Sequence, residues 1–599
     1  MNLIAKNLIT NDLEHNTLII QQAIDKVSSL GGGKVIIPPG EYHIKTLFLK
    51  SDVCLFLEKD AFLIGSTNIK DYGYASLQIK YACDVGNVVP EHYFGLIVIE
   101  NASHASIMGE GVIDGKGRYQ EYFPNSDDPT KARPFLVLLY KSDNFYIEGV
   151  TLKDSGMYAF YSMLSDNVHV NNIKIRTLDS INGDGIDFDG GKNLLVENCD
   201  IESSDDSISP KTYTKYPIQN LVVRNCKMKS NWAAIRIGVE SAGDMQDILV
   251  ENCDFRECRD GIKIQLCGPG NYQRMTFRNI KMQDVIRPFF ITLNKFRLSL
   301  EEGFIVPESG IIKDLCFENI DIKDTDLVHH FQNNGQPGLY EQKALFISGY
   351  YNNFISNITF KSINIDLIRN HQGLIRYDVP EFVDVFEQYP EISHAEGELP
   401  SAVFYLRNLH NLKMTNITLN IRGQDNRPHM FFNKVDGALK DVSLNNQKLY
   451  IEQIDSKIDS NIAINTIDNE VVENVNTNMK QYLKYINTFL PYIKLIEESK
   501  ETRIVDINKF IAPIDGDYIV QFNKLMGEAD IVVDNRVVGR HRYAGNYHLN
   551  YCFAFKAHLK KGDQFNISFI NKNELLGHHG VISPMYGVQY SPKVKILKL

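Results

Sequence analysis

The chain has 599 residues, with 63 Lys and Arg against 74 Asp and Glu for a formal charge of −11, and 43% of it is hydrophobic. That composition supports a large folded core and excludes a disordered or fibrous chain. The acidic balance argues against nucleic acid as the main partner, because a phosphate backbone selects a basic face.

The amino terminus, MNLIAKNLITNDLEHNT, lacks a basic stretch followed by an uninterrupted apolar run. No segment reaches the roughly 20 apolar residues of a membrane span. The expectation is a cytoplasmic chain with no membrane partner, or a secreted one if a leader has been removed. Nine scattered cysteines without a CxxC pair read as reduced thiols, and neither a metal site nor a cofactor is expected. Residues 17 to 29, TLIIQQAIDKVSS, carry apolar residues at helical spacing and stop at Gly31, Gly32 and Gly33. This predicts a helix that caps the amino-terminal end of the fold.

A repeat follows. LLVENCDI, LVVRNCKM, ILVENCDF and MTFRNIKM align on Asn198, Asn225, Asn252 and Asn279, a step of 27 residues each time. NVHVNNIKI and NFYIEGVTL extend the series upstream, while LCFENIDI, ITFKSINI and LKMTNITL continue it with longer insertions, for about nine coils in all. Short alternating β-branched strands between Asn, Gly and Asp turns predict an all-β fold, a right-handed parallel β-helix. One coil cannot bury its inner face alone, whereas stacked coils make a continuous core. Cys199, Cys226 and Cys253 fall at equivalent positions and predict an inward stack of small apolar thiols. The Asn ladder is predicted to serve the turns.

The densest acids lie mid-repeat, in NGDGIDFDGGKN (182 to 193) and SSDDSISPKT (203 to 212). Asp184 and Asp205 are 21 residues apart, nearly one coil. Equivalent points on adjacent coils lie one strand spacing apart, ~4.8 Å, so Asp184 is predicted to sit beside Asp205 and Asp206. Crowded like charges raise at least one pKa, leaving a protonated acid beside an ionised base, which is what glycosidic cleavage requires. Arg236 and Lys263 are 27 residues apart on the next two coils, on the same face, and are candidates to hold an anionic or hydroxylated sugar. Trp232, the only tryptophan, shares a coil with Arg236 and is a candidate to stack on a sugar ring, with core packing as the alternative. Asn182 and Lys211, in the acid-bearing segments, complete the substrate-binding candidates.

Residues 452 to 478 are rich in Asp, Asn, Ser and Thr and mark a boundary. The predicted division is a β-helix over 1–455, a linker over 456–490 and an accessory domain over 491–599. In the last, GDYIVQF, ADIVVDNRVVGRHRY, YCFAFKAHL and QFNISFINK predict a small β-sandwich, through which the chain is expected to form a homo-oligomer. Gly577, His578, His579 and Gly580 lack carboxylate partners nearby and read as a loop.

Over roughly residues 14 to 425 the chain resembles glycoside hydrolase family 28, the polygalacturonase family of pectin lyase-like β-helices. The resemblance is carried by NTLIIQQAIDKVSSLGGGKVIIPPGEY, LFLEKDAFLIGSTNIKDY, GEGVIDGKG, RPFLVLL, and NGDGIDFD followed by SSDDSISPKT. It implies an inverting hydrolase of pectin-derived galacturonan or rhamnogalacturonan oligosaccharides, in which Asp205 protonates the glycosidic oxygen while Asp184 and Asp206 activate the attacking water. Two departures stand out. Trp232-Ala233-Ala234 occupies the place of the family's G-H-G motif, and Lys263-Ile264-Gln265 that of its R-I-K motif, so the histidine and the second cation are missing. Long insertions, FRLSLEEGFIVPES and the stretch from 325 to 345, are expected to wall off one end of the cleft and favour exo action. Two alternatives remain open at this point: a lyase acting on uronic-acid glycans, and a β-helix that binds glycan without catalysis.

Overall fold

The computed structural model describes residues 1–76, 92–117, 133–180, 182–293, 310–325, 345–350, 353–372, 375, 399–445, 448–467, 490–522, 529–541, 553–569 and 593–599. The predicted insertions at FRLSLEEGFIVPES and within 325–345, and the loop at 577–580, lie almost wholly outside these.

The helix Leu13–Ser29 starts at Asp12, whose side chain accepts from the His15 N–H at 3.0 Å. It buries Ile20, Ala23, Ile24 and Val27 against the strands Gly33–Ile37 and Gly40–Ile44, and so closes the amino-terminal end. Gly32, with φ of 100°, follows in the left-handed region, where a Cβ would lie 2.6 Å from the Asp52 carbonyl oxygen.

From there to Thr466 the described strands join one 35-stranded sheet, paired parallel except where Gly73–Ser76 meets His92–Glu100. The register is the 27-residue step: Leu194 pairs with Leu221, then Ile248, then Met275. All four are buried in one core that runs the length of the stack. Asn198, Asn225, Asn252 and Asn279 each turn the chain with φ between 54° and 59°, a conformation Asn tolerates and β-branched residues do not. Their amides also bond between coils, Asn225 to Asn198 at 3.3 Å and Asn279 to Asn252 at 3.1 Å. Cys199, Cys226 and Cys253 lie in the core, as their spacing predicts.

Parallel pairing runs past the predicted boundary at 455. Lys457–Ser460 pairs with the strand Met430–Leu444, and Asn465–Thr466 with Ile451–Ile454. Polar composition hid these strands, because Lys457–Ser460 is exposed at every second residue and Asn465–Thr466 is exposed at both. Beyond the helix Leu490–Glu498 there are two small antiparallel sheets. One holds Arg503–Asp506, Lys593–Lys598, Gly516–Phe522 and Phe553–Leu559; the other holds Arg536–His541, Ala529–Val533 and Asn566–Phe569. They meet where the Phe555 ring leaves room only for glycine, 2.8 Å from a Cβ built on Gly539.

Candidate active site

The acids sit at the turns that precede one strand in each coil. Asp184 precedes Ile186–Asp189, and Asp205 and Asp206 precede Ile208–Lys211. Ile186 pairs with Ile208, so two residues earlier Asp184 faces Asp206 across neighbouring coils. The turns are bonded directly, Gly185 N–H to the Asp206 carbonyl at 2.8 Å and Ser207 N–H to the Ala233 carbonyl at 2.8 Å. Gly185 is required by this approach, since a Cβ there would lie 2.4 Å from the Ser207 carbonyl oxygen. One carboxylate oxygen from each of Asp184, Asp205 and Asp206 then lies within 4.8 Å of the others.

Their surroundings differ. Asp205 is half-buried, and its Oδ2 accepts from Asn182 Nδ2 at 3.0 Å while its Oδ1 accepts from the Asp206 N–H at 3.0 Å. Asn182, a predicted sugar contact, thus also orients an acid. Asp206 is fully buried; its Oδ2 pairs with Arg236 Nη1 at 2.8 Å and its Oδ1 accepts from the Ala233 N–H at 3.2 Å. Burial pushes the Asp206 carboxyl up to about 6, against the pull of Arg236. Asp184 is raised well above the ordinary carboxylate range, first by burial and then by Asp187 and Asp205, with Lys211 opposing.

Both cations are buried although they lie on the face opposite the core. Arg236 and Lys263 are register partners, as their spacing predicts. Arg236 is engaged with Asp206, and Lys263 is fully buried, 3.6 Å from Asp260 and 4.8 Å from the Trp232 ring. Trp232 itself is only 4% exposed, with the Arg259 guanidinium 3.7 Å from its ring centroid. It packs cations and has little surface left for a sugar.

Sequence reading named Lys211 but missed the carboxylates around it, Asp187 and Asp189, and the Asp260–Arg287 pair. In Ile186–Asp189 the alternation sends Ile186 and Phe188 to the core and Asp187 and Asp189 to the acid-bearing face. Burial pushes both of those carboxyls up to about 7. Lys211, one coil on, gives its ammonium to Asp187 Oδ2 at 3.0 Å and lies 4.0 Å from Asp184 Oδ2. Burial opposes the Lys211 charge, but Asp187, Asp184 and Glu240 outweigh it and hold the ammonium protonated. Asp260 pairs with Arg287, Nη2 to Oδ2 at 2.6 Å, next to Lys263. The signal was present in the alternation of IDFD, the strand Ile186–Asp189, where every second residue is acidic.

This arrangement has relatives. The chain is 27% identical over 238 residues to the exo-poly-α-D-galacturonosidase of Dickeya chrysanthemi, a match covering 32% of this chain and 39% of that protein. It is 31% identical over 114 residues to the polygalacturonase of Juniperus ashei, covering 18% of this chain and 22% of that one. The chain therefore spans well under half the length of the curated relatives it matches. Among solved structures, the family 28 exopolygalacturonase of Yersinia enterocolitica shares the fold, with a TM-score of 0.51 at 18% identity over 78% of each chain. The sequence model of glycosyl hydrolases family 28 matches residues 63–331, which contain all three acids.

Proposed function

We propose that the protein is a glycoside hydrolase that cleaves pectin-derived galacturonan or rhamnogalacturonan oligosaccharides from one end. The observation that carries this reading is the meeting of Asp184, Asp205 and Asp206 within 4.8 Å on adjacent coils, inside the segment that the family 28 sequence model matches. The name of the Dickeya chrysanthemi relative supports an exo mode.

Asp205 is the half-buried member of the three and so the one that a glycosidic oxygen reaches. In this reading its carboxyl proton passes to that oxygen as the bond to the anomeric carbon breaks. Water attacks the anomeric carbon, and its proton passes to Asp184 or Asp206. Ala233 stands beside Asp206 where the family carries histidine, and Arg236 holds that carboxylate at 2.8 Å.

The carboxyl spacing bears on stereochemistry. Inverting pairs usually stand roughly 6.5 to 9.5 Å apart and retaining pairs roughly 5 to 5.5 Å. The 4.8 Å spans selected oxygens of three carboxylates rather than the separation of an acid and a base. Inversion follows from the roles that the family resemblance implies, Asp205 as acid and Asp184 and Asp206 on one water.

The test is a panel of pectin-derived oligosaccharides, with reducing ends and the ultraviolet absorbance of an unsaturated uronate followed together. Reducing ends without absorbance, and products of one size, support exo hydrolysis. Absorbance rising with the reducing ends marks a lyase, and neither signal marks a glycan-binding β-helix. Proton NMR of the first product identifies the anomer and decides inversion.

A further inference from the structure

Asp187 is a fourth carboxylate that the proposed hydrolysis leaves without a task. It is fully buried, its Oδ2 accepts from Lys211 Nζ at 3.0 Å, and its Oδ1 meets no hydrogen-bond donor among the described residues. Asp184 repeats the pattern, with Oδ2 at 4.0 Å from the same ammonium and a buried Oδ1 likewise without a donor. Buried carboxylate oxygens without donors favour the protonated form. Left to themselves, two such neighbours would retain a proton at neutral pH. A base must be able to lose it.

We infer that Lys211 is a positioning residue whose ammonium keeps the Asp184–Asp187 pair able to release its proton, so that Asp184 can accept one from the attacking water. The inference rests on the hydrolase reading above. Lys211 is held by Asp187 and Asp184 on the preceding coil and by Tyr158, with its hydroxyl at 3.5 Å and ring centroid at 4.5 Å, and Glu240 and Tyr213 also favour its charge. Asp205 and Asp206 face Asp184 from the next coil and raise it, while Arg236 and Lys263 act on Asp206. Asp189, on the same strand as Asp187, also feels Lys211. Lys211 is thus the cation nearest the Asp184–Asp187 pair among the described residues. Its side chain is 5% exposed, so its role as a direct sugar contact gives way to one exerted through the acids.

The test is the pH dependence of kcat on trigalacturonate, or on whichever panel oligosaccharide the wild type cleaves best. Lys211→Met removes the charge and keeps the length. It should move the acid limb of kcat upward by about 1 to 3 units, the usual effect of an opposite charge at this range, with KM little changed. Asp187→Asn removes the competing anion and should move the same limb downward. Lys211→Arg keeps the charge and should leave the limb where the wild type has it. A purely structural role predicts lower kcat in each variant with no opposed shifts. If Lys211→Met fails to fold by circular dichroism, the other two variants decide. An active wild type whose limb does not fall in Asp187→Asn, or shifts in Lys211→Arg, overturns the inference alone. A wild type inactive on the whole panel overturns the hydrolase reading and this role with it.

Discussion

Arg236 Nη1 stands 2.8 Å from Asp206 Oδ2, joining a cation of one coil to the carboxylate of the coil before it, and both side chains are buried. A buried charge that loses its partner costs about 3 to 5 kcal/mol. Arg236→Ala should therefore lower the stability of the β-helix by that order, measured by urea unfolding. It should also lower kcat more than it raises KM, because Asp206 then holds a proton more tightly. A large rise in KM with kcat preserved would show that Arg236 reads the sugar instead.

Asp205→Asn keeps the shape of the acid and removes its proton. Turnover should fall on the order of 10³-fold, within the range for a positioned acid. Binding of an oligosaccharide, followed by calorimetry, should persist. Retention of more than about a tenth of wild-type kcat would move the acid to another residue, because a group that protonates the leaving oxygen cannot be dispensed with so cheaply.

The sequence disclosed the coils because each repeats its turn: Asn198, Asn225, Asn252 and Asn279 share one left-handed backbone conformation at a fixed step. The same step placed Arg236 against Lys263. What it could not disclose was how deep each outward side chain lies. Lys263 is outward by register, between Arg236 and Phe290 of the neighbouring coils, yet it is fully buried with its ammonium beside the Trp232 and Phe290 rings. Burial on an outward face comes here from side chains of neighbouring coils, which no local pattern records. Asp187 escaped for a related reason. It was not singled out from the acids of its segment, although the alternation with Ile186 and Phe188 places it on the outward face of a strand.

Trp232 offers a direct check of that reading. With 4% of its surface exposed and a guanidinium 3.7 Å from its ring, it should matter to stability before it matters to substrate. Trp232→Ala should cost about 3 to 5 kcal/mol, the usual price of deleting a buried large aromatic. Trp232→Phe should cost less and leave KM close to wild type. A several-fold rise in KM in the stable Phe variant would restore the sugar-stacking role.

Asp184 also sets how stability responds to pH. Its folded-state pKa is raised well above 3.8, so its contribution to stability is full below that value and is lost as pH rises through the folded pKa. Asparagine does not titrate. The Tm of Asp184→Asn relative to wild type should therefore rise as pH increases from about 4 to about 8, while activity is lost. A Tm difference that stays constant across that range would mean that the Asp184 carboxyl is not destabilised by its site.

The last prediction concerns the segment after the stack. Parallel pairing ends at Asn465–Thr466, and the two antiparallel sheets that follow bond within themselves in the described strands. The three acids lie far upstream of both. A chain ending near residue 470 keeps every described strand of the β-helix and should hydrolyse the same oligosaccharides as the full chain. A chain ending at residue 455 removes Lys457–Ser460 and Asn465–Thr466, which pair with Met430–Leu444 and Ile451–Ile454. It exposes the last coil, where Leu439 and Ile451 are buried, and should melt at a lower temperature than the longer truncation. Equal melting temperatures would mean that the terminal strands add nothing to the stack. If the longer truncation is folded by circular dichroism yet cleaves nothing that the full chain cleaves, residues 491–599 contribute to the active site and the two parts work as one catalytic unit.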